Sequence, residues 1–329
     1  MSDESWRLDL QKWAMAYLHS LAERPEILGV VMGGSLARGQ EWLHSDLEVG
    51  ILVEQKLESQ AYFNVDSGRG VEIIQLMMPQ LKEQLVQVRA GDLGPVALWP
   101  IQLWQCRIIY DPSGVFSEFK DQFDTYLFSS EVLEKRKKDL RLGITDRLTR
   151  AQQLIAASKP KSALVELRQA MNSLILLAYW SFEELPRSQS RTDSRLLSLC
   201  QRHDVMPLYE LYQDVFALAN VRQAIDESWP QVKTEVLELT RRWGDSAREF
   251  FIHAVDSDFE WGEDAGILTV YRLYIPIIGE ADQALQSRLD DEAWASENKA
   301  LMNFLGFVPI SREQLAQLVS RIETFASEF

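Results

Sequence analysis

Cysteine and histidine are scarce in this chain of 329 residues, which contains two cysteines and four histidines. Cys106 and Cys200 lie far apart, and neither they nor the scattered histidines have the spacing of a zinc site. Two distant cysteines also do not form the disulfide framework of a small secreted domain. We therefore expect a cytoplasmic protein in a reducing environment, with both thiols buried as small apolar side chains.

Basic residues and long apolar runs are also in short supply. The 34 Lys and Arg residues face 49 Asp and Glu residues, which gives a formal net charge of −15. Nucleic acids bind to clustered basic side chains, so this charge argues against a nucleic-acid partner. The most apolar window, Leu174–Phe182, is about half the roughly 18 to 20 residues that cross a bilayer. The first ten residues lack the basic-then-apolar order of a signal peptide, so we expect neither a membrane span nor export.

Hydrophobic periodicity divides the chain into a front part with strands and a helical back part. Residues 5–22 carry apolar side chains at helical spacing. Strand patterns follow at residues 27–32, 46–53, 62–65, 71–78 and 103–110. Helical patterns cover residues 133–157, 162–184, 208–224, 230–254, 278–303 and 311–327. This order predicts an α+β domain over 1–116 and an all-α helical bundle over 117–329, with a separate helical tail from about residue 256.

A glycine-rich turn follows the first strand pattern directly, with the sequence Gly33-Gly34-Ser35. Glycine allows backbone N–H groups to approach an anion closely, and Ser35 is a candidate N-cap for a helix over residues 35–41. The positive end of such a helix favours a phosphate, and Arg38 would add charge. Most turns of this composition after a strand are only turns. The functional interpretation is a phosphate site at Gly34, Ser35 and Arg38.

Three acidic residues lie on the strand patterns that follow. Asp46 and Glu48 are two residues apart, so they share a face, with their Cα atoms roughly 6 to 7 Å apart. Two acids alone can simply be solvated, but held together they favour a hard cation such as Mg²⁺. Glu72 interrupts an apolar strand, which is costly without a partner, and a neighbouring strand would bring it to the other two. Three such acids can hold two metal ions about 3.5 to 4 Å apart.

The order of these features resembles a known family. Residues 34–39 and 45–48, a Gly-Ser followed by Asp-x-Glu, look like the signature of the DNA polymerase β-like nucleotidyltransferase superfamily. Glutamate at the second metal position is similar to the aminoglycoside nucleotidyltransferases such as the kanamycin enzymes, as is an acidic strand followed by a helical domain. The resemblance covers about the first 115 residues and implies an N-terminal mixed β-sheet with flanking helices.

The resemblance also implies an activity and roles for residues. Gly34 and Ser35 would bind the triphosphate of ATP or another nucleoside triphosphate, and Asp46, Glu48 and Glu72 would bind Mg²⁺. The enzyme would transfer a nucleoside monophosphate, AMP when ATP is the donor, to an acceptor hydroxyl. In the antibiotic-modifying members a glutamate is the base, and it lies either on the strand of the third acid or on a helix of the second domain. The candidates in this chain are therefore Glu72 and Glu166.

The acidic charge favours a small cationic acceptor such as an aminoglycoside, which would make the protein an antibiotic-resistance enzyme. Some members of the superfamily modify proteins, and some build the site across a homodimer, so both alternatives stay open. A different class of function is a degenerate nucleotide-binding module whose helical region binds proteins or regulates them. Three acids in the expected positions argue against a degenerate site.

Overall fold

We describe the protein from a computed structural model, over residues 5–58, 60, 62–89, 105–186, 192–218, 249, 253, 288–307 and 309–329. The chain forms two compact units, one comprising Met1–Lys135 and Trp243–Ser257 and the other comprising Arg136–Arg242 and Asp258–Phe329. A mixed five-stranded sheet lies in the first unit, and the regular structure described in the second is helical. The predicted α+β fold class is confirmed.

In the part of the chain that the structure describes, the first unit has five strands and four complete helices. In chain order they are α1 (Ser5–Ala22), β1 (Ile27–Met32), α2 (Gly34–Ala37), β2 (Leu47–Val53), β3 (Phe63–Asp66), β4 (Arg69–Met77), α3 (Met78–Arg89), β5 (Arg107–Tyr110) and α4 (Val115–Tyr126). The sheet has the order β3-β4-β2-β1-β5. β2 and β4 are parallel, and the other neighbouring strands are antiparallel. β2 therefore lies between its parallel neighbour β4 and its antiparallel neighbour β1.

One face of the sheet packs on α1, and this packing fixes which residues of β2 and β4 face the other way. Leu10, Ala14, Leu18 and Leu21 repeat at helical spacing and form one core cluster with alternate residues of the strands. In β2 and β4 those residues are Leu47, Val49, Ile51, Val53, Val71 and Ile73. Because side chains alternate along a strand, the residues between them point to the opposite face.

Helix α4 extends the first unit beyond the boundary predicted at residue 116. A Cβ atom added to Gly29 would lie 2.8 Å from Cε2 of Phe116, so this ring packs directly on the backbone of β1. Phe116, Phe119 and Phe123 are all buried along one side of α4. The compact unit consequently continues to Lys135, inside the next helix. Neither α3 nor α4 is among the helical patterns found in the sequence.

The described helices of the second unit include one, α6 (Pro160–Ser181), that is buried along most of its length. They are α5 (Ser130–Ala156, which begins in the first unit), α6 (Pro160–Ser181), α7 (Thr192–His203), α8 (Met206–Phe216), α9 (Glu292–Glu297), α10 (Lys299–Phe304) and α11 (Arg312–Glu328). α6 is the most buried of them and contacts both α8 and α11. The helix predicted over 230–254 lies outside the described residues, apart from Glu249 and His253. The start of the predicted tail near residue 256 also lies outside them. Among the described helices, none combines the length and the apolar character that a membrane span requires.

The two thiols have different exposures. Cys200 is buried as expected, whereas Cys106 is only partly buried, which corrects the expectation for that thiol. Desolvation nevertheless raises the pKa of each thiol to about 11. At neutral pH both side chains therefore carry less thiolate, the nucleophilic form, than an ordinary cysteine does.

Arg168 is a fully buried cation of α6 that joins three segments of the second unit. Its guanidinium donates hydrogen bonds to the carbonyl oxygens of Val215 at 3.0 Å, Leu305 at 2.6 Å and Gly306 at 2.8 Å. It also lies over the rings of Phe216 and Phe307. These carbonyls lie at the C-terminal ends of α8 and α10, where helices leave carbonyl groups without internal partners.

We predict that Arg168→Met lowers the free energy of unfolding by about 3 kcal/mol or more, because each buried carbonyl left unpaired costs about 1 to 3 kcal/mol. Urea unfolding followed by circular dichroism measures the change. Arg321→Met is the matched control, because its ion pair with Asp214 is substantially exposed and such pairs contribute about 1 kcal/mol or less. Equal effects of the two substitutions would contradict the role assigned to Arg168.

Candidate active site

The turn after β1 brings its backbone directly against the side chain of Glu48. The Gly33 N–H donates a hydrogen bond to the carbonyl oxygen of Glu48 at 2.8 Å. Gly34 has a positive φ of 65°, and a Cβ atom placed on it would lie 2.6 Å from both Cδ and Oε1 of Glu48. Only glycine fits both the conformation and the space. The structure therefore requires Gly34 in order to accommodate the Glu48 carboxylate where it lies.

Glu48 and Glu72 are direct neighbours across the parallel pair. The register aligns Leu47 with Val71 and Glu48 with Glu72, so the two glutamates leave the sheet on the same face. That face is opposite the one covered by α1, since Leu47 and Val71 belong to the α1 core. Neighbouring strands lie about 4.8 Å apart. Both acids are only partly buried, which leaves their side chains accessible from solvent.

Asp46 lies immediately before β2, whereas the sequence pattern placed it inside the strand. It is partly buried, and its side chain has no hydrogen-bond or ion-pair partner among the residues that the structure describes. Within the same described residues, no three His, Cys, Asp or Glu side chains form a group that could hold a metal ion. In this conformation Asp46, Glu48 and Glu72 are therefore close in the fold without forming a preassembled three-acid centre.

Ser35 is not the N-cap that the sequence suggests. Gly33 occupies that position, and α2 ends at Ala37, so the helix is shorter than the predicted 35–41. The Ser35 hydroxyl instead donates to Oγ of Ser45 at 3.0 Å, and Ser45 Oγ also accepts from the backbone N–H of Trp42. This hydrogen bond connects Ser35, at the end of the glycine turn, to Ser45, the residue before Asp46. Sequence periodicity contains no sign of this contact.

Arg38 directly follows α2 and caps its C-terminal end with its backbone. Its N–H donates to the carbonyl oxygen of Leu36, and the next residue, Gly39, has a positive φ of 64° that turns the chain out of the helix. The side chain is partly buried. Its proposed contact with a phosphate stays a prediction.

The loop between α2 and β2 is anchored to α1 by a buried acid that sequence reasoning missed. Glu41 is 5% exposed, accepts a hydrogen bond from Nε2 of Gln11 at 2.8 Å, and lies 3.4 Å from Nε of Arg7. Further along the loop, the His44 ring is 6.3 Å from that of His253, which comes from a distant part of the sequence. Neither contact has a local signal, because both depend on tertiary packing.

Tyr62 is the second site residue without a sequence signal. It precedes β3, and its phenol hydroxyl donates a hydrogen bond of 2.5 Å to Oε1 of Glu72. Its backbone is fixed at the same place, because the Ile73 N–H donates to the Tyr62 carbonyl oxygen at 2.7 Å. The side chain is 47% exposed. Glu72 therefore accepts a hydrogen bond from a hydroxyl group in the described conformation.

Glu166, the other candidate base, lies on α6 in the second unit. It is only 5% exposed, and its Oε2 is 2.9 Å from a guanidinium nitrogen of Arg147. A carboxylate inside the helical unit normally requires such a partner, because burial of an unpaired charge is costly. The ion pair gives Glu166 a structural role, and its assignment as a base stays a prediction.

Comparisons with known proteins give little beyond a distant structural likeness. No family model matches the chain, and no curated protein matches its sequence. Among solved structures, the chain is similar to a nucleotidyltransferase-like protein from Exiguobacterium sibiricum, with 12% identity and a TM-score of 0.37 over 97% of this chain and 89% of the other. The function proposed below therefore rests on the residues of this chain.

We predict that Gly34→Ala destabilises the protein more than Gly39→Ala, although both glycines have nearly the same positive φ. Each substitution incurs a backbone cost of about 1 to 2 kcal/mol for the left-handed conformation. A new Cβ at Gly39 meets no atom within 4 Å, whereas one at Gly34 overlaps the Glu48 carboxylate. Thermal unfolding of the two variants measures the difference. Equal losses would show that Glu48 is free to move away from the turn.

Proposed function

We propose that this protein is a nucleotidyltransferase, which transfers a nucleoside monophosphate from ATP or another nucleoside triphosphate to an acceptor hydroxyl. The observation that carries the proposal is the placement of Glu48 and Glu72 side by side on the sheet, with Glu48 against the Gly34 turn. Two carboxylates in this register repel each other unless a cation or a proton lies between them. The arrangement therefore supports a cation site beside an anion-binding turn.

The donor set suits magnesium. Carboxylate oxygens are the protein ligands that Mg²⁺ prefers, and phosphate oxygens of the substrate usually complete its coordination. We assign Asp46, Glu48 and Glu72 to this site, with Asp46 joining the glutamates when the ligands bind. Bound magnesium would neutralise charge on the triphosphate and its leaving group.

The chain itself would position the substrates and move one proton. The backbone at Gly34 and Ser35, with Arg38, would orient the triphosphate so that its α-phosphorus faces the acids. Ser45 and Glu41 hold the loop that connects this turn to Asp46. The acceptor hydroxyl attacks the α-phosphorus in line, its proton passes to Glu72, and pyrophosphate leaves. Glu72 is preferred over Glu166 because it already accepts a hydrogen bond from a hydroxyl.

A small cationic acceptor, such as an aminoglycoside, fits the charge of the chain best. At a net charge of −15, the protein attracts cations to its surface and repels polyanions. Such a reaction would give the protein a role in antibiotic resistance. The net negative charge supports a cationic acceptor as a class and does not select one compound.

The second candidate function is a nucleotide-binding module that has lost catalysis, with the helical unit as a binding or regulatory surface. The observation that favours it is that the described residues contain no assembled metal group of three ligands. The two functions differ in one measurable property, because only the enzyme requires a metal ion for productive nucleotide binding.

We predict that magnesium increases the affinity for ATP at least tenfold in the wild type and that Asp46→Asn and Glu48→Gln each remove this dependence. Isothermal titration calorimetry with and without Mg²⁺ measures both effects. Glu54→Gln is the matched control, since Glu54 directly follows β2 and is exposed. ATP affinity that is independent of magnesium in the wild type would rule out the metal-dependent enzyme and favour the second candidate.

For the acceptor, we predict that pyrophosphate appears when ATP and Mg²⁺ are incubated with an aminoglycoside. A panel of aminoglycosides, lincosamides and proteins, assayed by a coupled pyrophosphate assay, separates the acceptor classes. Glu72→Gln should lower the rate about 100-fold or more, because a general base typically contributes that much. Release with a protein substrate alone would contradict the cationic small-molecule acceptor and leave the transfer reaction intact.

A further inference from the structure

The Tyr62 phenol is hydrogen-bonded to Glu72, the residue that we propose accepts the proton of the acceptor hydroxyl. The Tyr62 phenol donates its hydrogen bond to Glu72, which lies beside Glu48, and Glu48 contacts the glycine turn assigned to the triphosphate. An acceptor must present its hydroxyl to the base at hydrogen-bonding distance before it attacks. Tyr62 already meets this geometric requirement.

The surroundings of Tyr62 keep the phenol at this place while leaving it accessible. Its carbonyl oxygen is held by the N–H of Ile73, the residue after Glu72. Its ring packs edge-on against Phe63, with ring centroids 4.4 Å apart. Tyr62 also precedes β3, an edge strand of the sheet, and is 47% exposed. A nucleotide bound at the turn could therefore reach the phenol without unfolding the sheet.

We propose that Tyr62 is a site of self-modification, at which the chain transfers a nucleoside monophosphate to its own phenol oxygen. This inference rests on the proposed nucleotidyltransferase function. The phenol oxygen of Tyr62 forms a new bond to the α-phosphorus, and the bond between that phosphorus and the bridging oxygen of pyrophosphate breaks. The phenol proton passes to Glu72, and pyrophosphate leaves with the electron pair. The product is a phosphodiester on Tyr62.

Such a product would change the site in a defined way. The phosphodiester carries one negative charge beside Glu48 and Glu72. It also removes the phenol O–H that donates the hydrogen bond to Glu72. It also places a bulky nucleotide over the acceptor position. Modification of Tyr62 would therefore block transfer to other acceptors.

The test is intact-protein mass spectrometry of the full chain after incubation with ATP and Mg²⁺ and no other acceptor. We expect a mass gain of one nucleoside monophosphate, which tandem mass spectrometry of the digested wild-type protein maps to Tyr62. Tyr62→Phe should abolish the gain, and Glu72→Gln should slow it about 100-fold or more. Localisation in the wild-type chain does not depend on how well either variant folds.

Tyr110→Phe is the matched control, because Tyr110 is an exposed tyrosine on β5, at the opposite edge of the same sheet. It should retain the full mass gain. A gain mapped to any other residue would overturn the proposal. The proposal is also overturned if the wild-type chain gains no mass with ATP and Mg²⁺ but releases pyrophosphate with an external acceptor, in which case the transferase function stands.

Failure of the function itself has a separate signature. In that case, ATP binds without any dependence on magnesium, no pyrophosphate forms with any acceptor, and no mass gain occurs. Mass gain with magnesium-dependent ATP binding supports both proposals. The calorimetric, pyrophosphate and mass readouts together therefore distinguish the two.

Discussion

The register between β2 and β4 is the constraint on which the candidate site depends. It aligns Leu47 with Val71 and Val49 with Ile73 on the face that packs against α1. A slip by one residue would move these apolar side chains out of the α1 core and turn the residues of the other face, Glu48 and Glu72 among them, towards it. The core therefore fixes the register, and the same register forces Glu48 beside Glu72. Stability of the sheet and repulsion at the site are two consequences of one alignment.

Placing two carboxylates side by side in this register is unfavourable for folding. Like charges directly opposite each other on a sheet are destabilising, and a proton or a cation between them relieves the cost. Glycine at position 34 adds a second cost, since glycine loses more conformational entropy on folding than any other residue. Both costs fall at the same place, where the Glu48 carboxylate meets the turn. Unfavourable features that coincide in space are typical of sites built for a ligand.

Sequence reasoning succeeded where periodicity and turn chemistry determine structure. The helix over residues 5–22 and the strand over 27–32 match the elements found, because each has a strong local pattern. It missed α4, although Phe116, Phe119 and Phe123 repeat there at helical spacing, and it missed α3, which packs on β4 and α4. Contacts between distant segments were equally invisible. Ser45 as the partner of Ser35, and Arg147 as the partner of Glu166, become apparent only in three dimensions.

The same distinction bears on the choice of the base. Glu72 and Glu166 both interrupt apolar patterns, and the sequence offers no way to rank them. The structure gives them different partners: Glu166 forms an ion pair with the cation Arg147, whereas Glu72 accepts a hydrogen bond from the neutral hydroxyl of Tyr62. An acceptor hydroxyl can replace the phenol one for one, whereas replacing Arg147 would separate the buried Glu166 carboxylate from this cation. The cost of exchanging the partner therefore favours Glu72 as the residue that receives the proton.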